Sequence, residues 1–150
     1  MSLARVVAVA GALCGCALGV TACGAPLSVS AQIRQWSAGA GYPDLDQALE
    51  ADFPEVRAGI TSGNLKGLKT ACAGMSIDAG NIYNTLVTPD HALTNALARA
   101  LSGLAKVGQQ CNDLRSGTAA ATAALARELS ADQALYDKER AVIVAADRTS

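Results

Sequence analysis

The chain has 150 residues, 51% hydrophobic, 17% charged and 3% aromatic, with a formal net charge of −1. That apolar fraction excludes intrinsic disorder, and the near-neutral charge argues against a nucleic-acid partner, which usually demands a basic excess. With one Trp, three Tyr and one Phe, the core must be aliphatic; 32 alanines against four prolines favour helix, where Ala loses no side-chain entropy.

Arg5 is the only charge before Arg34, and Val6 to Val20 (VVAVAGALCGCALGV) is fifteen uncharged residues. A membrane span needs ~20 apolar residues, whereas a signal-peptide core needs ~7–15. The stretch ends in Val20-Thr21-Ala22-Cys23-Gly24. Here the sequence resembles a bacterial lipoprotein signal, whose lipobox places small residues before an invariant cysteine. The resemblance implies cleavage before Cys23 and acylation of its thiol; Val20 stands where Leu is commoner. The plainer reading is an ordinary signal peptide cut after Ala22 or Ala25. The expected organisation is a signal peptide over 1–22, a lipidated tether over 23–30 and a helical domain over 31–150. Its location is then the extracytoplasmic face of the cell membrane, with the bilayer as partner through Cys23.

In the domain, Val29, Ile33, Trp36 and Ala40 suggest a short leading helix ended by Gly39 and Gly41. Leu45, Leu49, Phe53, Val56 and Ile60 form a second stripe, opened by Pro43-Asp44; Pro54 predicts a kink or two short helices. Leu65, Leu68, Cys72, Met75, Ala79, Ile82 and Leu86 step 3-4-3-4-3-4, and Leu93, Leu97, Ala100, Leu104, Val107, Cys111 and Leu114 step 4-3-4-3-4-3. Both are seams of helices packed lengthwise. Leu125, Leu129, Tyr136 and Ile143 mark a looser last stripe, with Asp132 and Glu139 interrupting it; Ser130-Ala131-Asp132 reads either as a local break or as exposed polar positions. Ser62-Gly63-Asn64 and Ser116-Gly117 punctuate the runs. Thr88-Pro89-Asp90 reads as a capping hydroxyl, a Pro at the first helical position and an acid in the first turn. With no strand-like alternation, the prediction is an all-α, up-down bundle of about four long helices with a short leading helix.

Five cysteines are present: Cys14, Cys16, Cys23, Cys72 and Cys111. The first two leave with a signal peptide and Cys23 is taken by the lipid. Cys72 and Cys111 remain, an even pair in an oxidising compartment, and read as one disulfide. Geometry constrains it. A symmetric hairpin centred between Pro89 and Asp90 leaves Cys111 four residues past its ideal partner, ~6 Å of rise, with the Cα atoms roughly 10–12 Å apart at ordinary helix spacing. A disulfide needs less than ~7 Å. The bond therefore requires about one turn of slip or an asymmetric loop around Asn84–Pro89; the alternative is two buried thiols acting as small hydrophobes.

Chemistry is sparse. His91 is the only histidine and reads as a first-turn residue, since a metal site needs several converging ligands. Asp44, Asp46, Glu50, Asp52 and Glu55 read as helix N-terminal acids and a solvated face, not as acid/base pairs or a calcium loop. Asp137, Lys138, Glu139 and Arg140 likewise read as a solvated face. Ala141 to Ala146 is core or a docking patch, core being the simpler reading. Gly67, Gly74, Gly80, Gly103 and Gly108 allow close helix approach or leave room for an apolar ligand. No catalytic, cofactor or metal residue is expected, and no enzymatic activity.

The lipobox, the Ala-rich helices, eight Arg against four Lys and the Cys72–Cys111 pair together resemble the small helical, single-disulfide lipoproteins of actinobacteria. The resemblance implies location more than mechanism. Three functions stay open: an interaction or structural module of the envelope with an envelope-protein partner, a carrier of an apolar small molecule or lipid in the bundle core, and an enzyme or haem or metal protein built on His91 or the acid cluster.

Overall fold

Each apolar stripe becomes a helix. The computed structural model describes residues 26–115 and 118–149; Cys23 and the lipobox, Cys14 and Cys16, and the Ser116-Gly117 break lie outside them. The described chain is all-α: α1 (Val29–Gly39), α2 (Tyr42–Ser62), α3 (Leu65–Asn84), α4 (His91–Asp113) and α5 (Ala119–Arg148). α2 to α5 run up and down in sequence order, and α1 packs on α5 and α2. Leu68, Cys72, Met75, Ala79 and Ile82 of α3 and Leu93, Leu97, Ala100, Leu104, Val107 and Cys111 of α4 are all buried. The seams read from the sequence thus form the core, joined by Leu49, Phe53 and Val56 of α2 and Leu125, Leu129, Tyr136 and Ile143 of α5.

The helix ends differ from expectation in instructive ways. α1 is capped by Ser28, whose hydroxyl accepts from Ala31 N at 3.2 Å, so Val29 and Ser30 belong to the helix and not to the tether. Gly41 (φ 66°) and Gly63 (φ 67°) take the left-handed conformation that joins α1 to α2 and ends α2, a conformation costly for residues with a Cβ. Asn64 then caps α3, its Oδ1 accepting from Gly67 N. Pro54 does not divide α2, which is continuous from Tyr42 to Ser62. Its ring is on the exposed side, where water can satisfy the carbonyl that loses its amide donor. α5 likewise continues through Ser130-Ala131-Asp132. The cap of α4 is Asp90, not Thr88: Asp90 Oδ1 accepts from Ala92 N at 2.7 Å and Leu93 N at 3.2 Å. Thr88 is buried and braces the turn instead, with its hydroxyl 2.8 Å from that of Thr94 and donating to Asp90 O at 2.6 Å.

Cys72 and Cys111 are bonded, with Cα atoms 6.2 Å apart. The hairpin achieves this by slip. The Cys72–Cys111 bond and the approach of Gly108 to Ser76 centre on residues 91–92, about two residues later than the symmetric fold, while the Cys111 sulfur also reaches Leu68 O at 3.6 Å, one turn earlier on α3. Residues 85–90 form the asymmetric connection that carries α4 past the end of α3.

Candidate functional site

The backbones of α2 and α5 approach each other least of all the neighbouring helices, and long polar side chains fill this seam. Tyr42 opens α2 and points inward, fully buried. One turn on, Asp46 is buried too. From α5, Tyr136 donates its hydroxyl to Asp46 Oδ1 at 2.8 Å and lies 3.1 Å from the Tyr42 hydroxyl. Arg140 Nε reaches both carboxylate oxygens of Asp46, at 2.6 and 2.8 Å. Phe53 meets the edge of the Tyr136 ring, and nearer the far end of α2 Arg57 hydrogen-bonds Gln133.

The electrostatics follow from this packing. Burial drives the Tyr42 and Tyr136 phenols well above their ordinary value, so both stay protonated as hydrogen-bonding groups. The hydrogen bond to Asp46 raises Arg140 further above its already high value. Glu50, half-buried beside this network, is raised by burial against the opposing pull of Arg140; its Oε1 is 4.0 Å from Arg140 Nε, too far for a hydrogen bond. The arrangement suits a clamp between two helices, since its strong interactions join side chains of α2 to side chains of α5.

A second cluster sits between α2 and α3. Asp52 packs over Gly74, where an added Cβ would meet its Oδ1 at 3.0 Å. Its Oδ2 is buried without a hydrogen-bond partner. Burial first, then the negative charge of Asp78 on α3 and a hydrogen bond to it, push Asp52 up to about 6, with Glu55 adding in the same direction. Asp132 on α5 is placed similarly over Gly103, and burial raises it despite Lys106.

The acidic residues expected on a solvated face therefore divide. Asp44 and Glu55 are exposed, whereas Asp46 is internal and Glu50 and Asp52 are half-buried. Arg140 leaves the expected solvated group Asp137–Arg140 for the same reason: it is the partner of Asp46. Within 141–146 only Ile143 and Ala146 join the core; Ala141, Val142 and Ala145 are exposed and Val144 is half-buried, so the segment divides between core and surface. His91 is the exposed first residue of α4. Among the described residues no three His, Cys, Asp or Glu side chains converge as a metal-ligand set.

Glycines in this bundle serve contact. At Gly59 a Cβ would lie 2.8 Å from Leu68 Cα, which marks a backbone-close crossing of α2 and α3. A depression of about 570 Å³ forms an open groove beside this crossing, lined by Glu55, Ala58, Ser62, Lys66 and Thr70 among others. A smaller one, about 270 Å³, lies between Tyr83 and Leu101 on the outside of α3 and α4. Comparison of the chain with protein-family models, with curated proteins and with solved structures gives no match.

Proposed function

We propose that the chain is a membrane-anchored extracytoplasmic lipoprotein whose bundle acts as a non-enzymatic interaction or structural module of the cell envelope. The cysteine pattern carries this reading. The two cysteines of the helical domain are bonded to each other, as suits an oxidising compartment, and the next cysteine upstream closes the lipobox Val20-Thr21-Ala22-Cys23. The Tyr42–Asp46–Tyr136–Arg140 network supports the non-enzymatic part, because these groups bond to one another across a helix seam. No helix among the described residues is long and apolar enough to cross a membrane, so the anchor in this reading is the acylated Cys23.

Intact mass spectrometry of the protein purified from its own membranes, with and without reduction, tests the proposal. The expected result is a chain beginning at Cys23 that carries two or three acyl chains and gains two hydrogens on reduction. An unacylated chain with a free Cys23 thiol overturns the anchoring. A lipid that co-purifies in stoichiometric amount, beyond the covalent chains, would favour the carrier reading instead.

A further inference from the structure

The topology fixes which end of the bundle carries the N-terminal segment. α2 begins, α3 ends, α4 begins and α5 ends at one pole. α1 stands at that pole and runs antiparallel to the last turns of α5: Ser37 bonds Asp147, and three residues earlier Arg34 bonds Thr149 O. The first turn of α1 therefore passes beyond the end of α5. Trp36 Nε1 donates to Thr85 O at 3.3 Å, which places the α3–α4 connection at the same pole. Pro26 stands three positions after Cys23, a reach of at most about 11 Å.

This pole exposes apolar side chains. Val29 continues the inward stripe of Ile33 by one turn, yet Ile33 is 3% exposed and Val29 56%. The stripe runs off the end of the core. Leu27 beside it is 56% exposed and Val87, in the α3–α4 connection, 84%; Tyr83, in the last turn of α3, is half exposed. Charges here are nearly balanced, with Arg34 and Arg148 against Asp44, Asp90 and Asp147.

We propose that this pole is a lipid-contacting surface: Leu27, Val29 and Val87 enter the outer part of the bilayer, with Tyr83 beside the headgroups, and hold the bundle upright on the membrane. The inference rests on the acylation of Cys23 proposed above and deepens it. A lipid on Cys23 brings Pro26 within about 11 Å of the headgroup region, so the exposed residues next to it meet the bilayer before they meet any other partner. Apolar side chains with a tyrosine at their edge suit the membrane interface, where one end of the residue is dry and the other wet. Balanced charge makes a neutral lipid surface sufficient. The α2–α3 and α4–α5 turns then point away from the membrane, at the height set by the 30-residue α5, about 45 Å of helix.

The test uses the acylated full-length product, purified from its own membranes and placed in phosphatidylcholine bilayers. Mass spectrometry first establishes acylation; an unacylated product overturns the anchor reading and this inference with it. On the acylated protein, neutron reflectivity from a supported bilayer reads the thickness of the protein layer. An upright bundle gives about 45 Å, and one lying flat roughly half that. In a Trp36→Phe background, Val87→Trp and Asn112→Trp place a fluorophore at the proximal and distal poles. In vesicles of chain-brominated phosphatidylcholine the Val87→Trp emission is expected to shift blue and fall about twofold, with no change for Asn112→Trp. A thin layer on acylated protein, or equal emission from the two variants with and without bromine, overturns the upright insertion and leaves the anchor standing.

Discussion

Asp46 sits at a core position of α2, where a carboxylate is tolerated because Arg140 and Tyr136 reach it from α5. Removing one partner strands the others. Tyr136→Phe takes away the hydroxyl shared with Tyr42 and is expected to cost about 1–3 kcal/mol in denaturant unfolding. Asp46→Ala leaves Arg140 without its carboxylate and is expected to cost about 2–3 kcal/mol. That is less than the ~3–5 of a fully buried pair, because about a third of the Arg140 side chain remains in water. A change under ~0.5 kcal/mol in both variants would refute the clamp, since that is the size of an ordinary surface effect. Taking the stripe from Leu45 misplaces Asp46 on a solvated face; the signal in the sequence that corrects this is that Tyr42, Asp46, Leu49, Phe53 and Val56 step 4-3-4-3, which puts the acid on the buried face. Its partner is not legible. Arg140 lies 94 residues away, and nothing local distinguishes it from a charge on a solvated helix.

Asp52 gives a pH-dependent prediction at the same scale. Its folded-state value of about 6 lies above the ordinary 3.8, so the folded chain holds this proton more tightly than the unfolded one. Stability contributed by the group therefore rises as pH falls through about 6 toward 4, and is absent above about 7. Asp52→Asn removes the repulsion from Asp78 and Glu55 while keeping the shape. The variant is expected to melt a few degrees above the parent at pH 7.5, with the difference shrinking by pH 5. A difference that is constant across this range, or grows on acidification, would show that Asp52 does not carry the effect.

At the scale of the helix, the same residue type has opposite consequences at two positions. Gly59 and Gly80 both lie within helices, where Gly costs up to ~1 kcal/mol relative to Ala. Around Gly80 an added Cβ meets nothing within 4 Å, whereas at Gly59 it meets Leu68 backbone. Gly80→Ala is therefore expected to stabilise by about 0.5–1 kcal/mol, and Gly59→Ala to destabilise by about 1–3 kcal/mol as α2 and α3 are forced apart. Thermal melts of the two variants check the contrast; stabilisation by both would mean that the crossing is loose. Element identity and the buried faces were legible because period 3.6 is a local property of the chain. The uninterrupted α2 and the Asp90 cap were not, because they depend on surroundings: solvent on the outer side of Pro54, and the Thr88–Thr94 contact that takes the threonine away from the helix end.

Across the whole molecule, the disulfide and the polar clamp act on different seams. The bond joins α3 to α4, consecutive helices that also share the broadest interface, so it does not choose the topology. Both the slip and its direction follow from Cys111 standing four residues past its symmetric partner; what the sequence does not show is that the bond forms, with Gly108 packed against Ser76 beside it. With the cysteines 39 positions apart, the bond should stabilise by about 2–4 kcal/mol, chiefly by restricting the unfolded chain. The paired variant Cys72→Ala/Cys111→Ala should accordingly lose that stability while its far-UV circular dichroism keeps its helical form. The α2–α5 seam has no covalent link and the fewest backbone approaches, so hydrogen exchange should spread first along α2 and the second half of α5, ahead of α3 and α4, with or without the bond. If loss of the cysteines instead makes α3 and α4 exchange before α2, the staple is what holds the core of the bundle together, and the packed seams of Leu, Ala and Val are secondary to it.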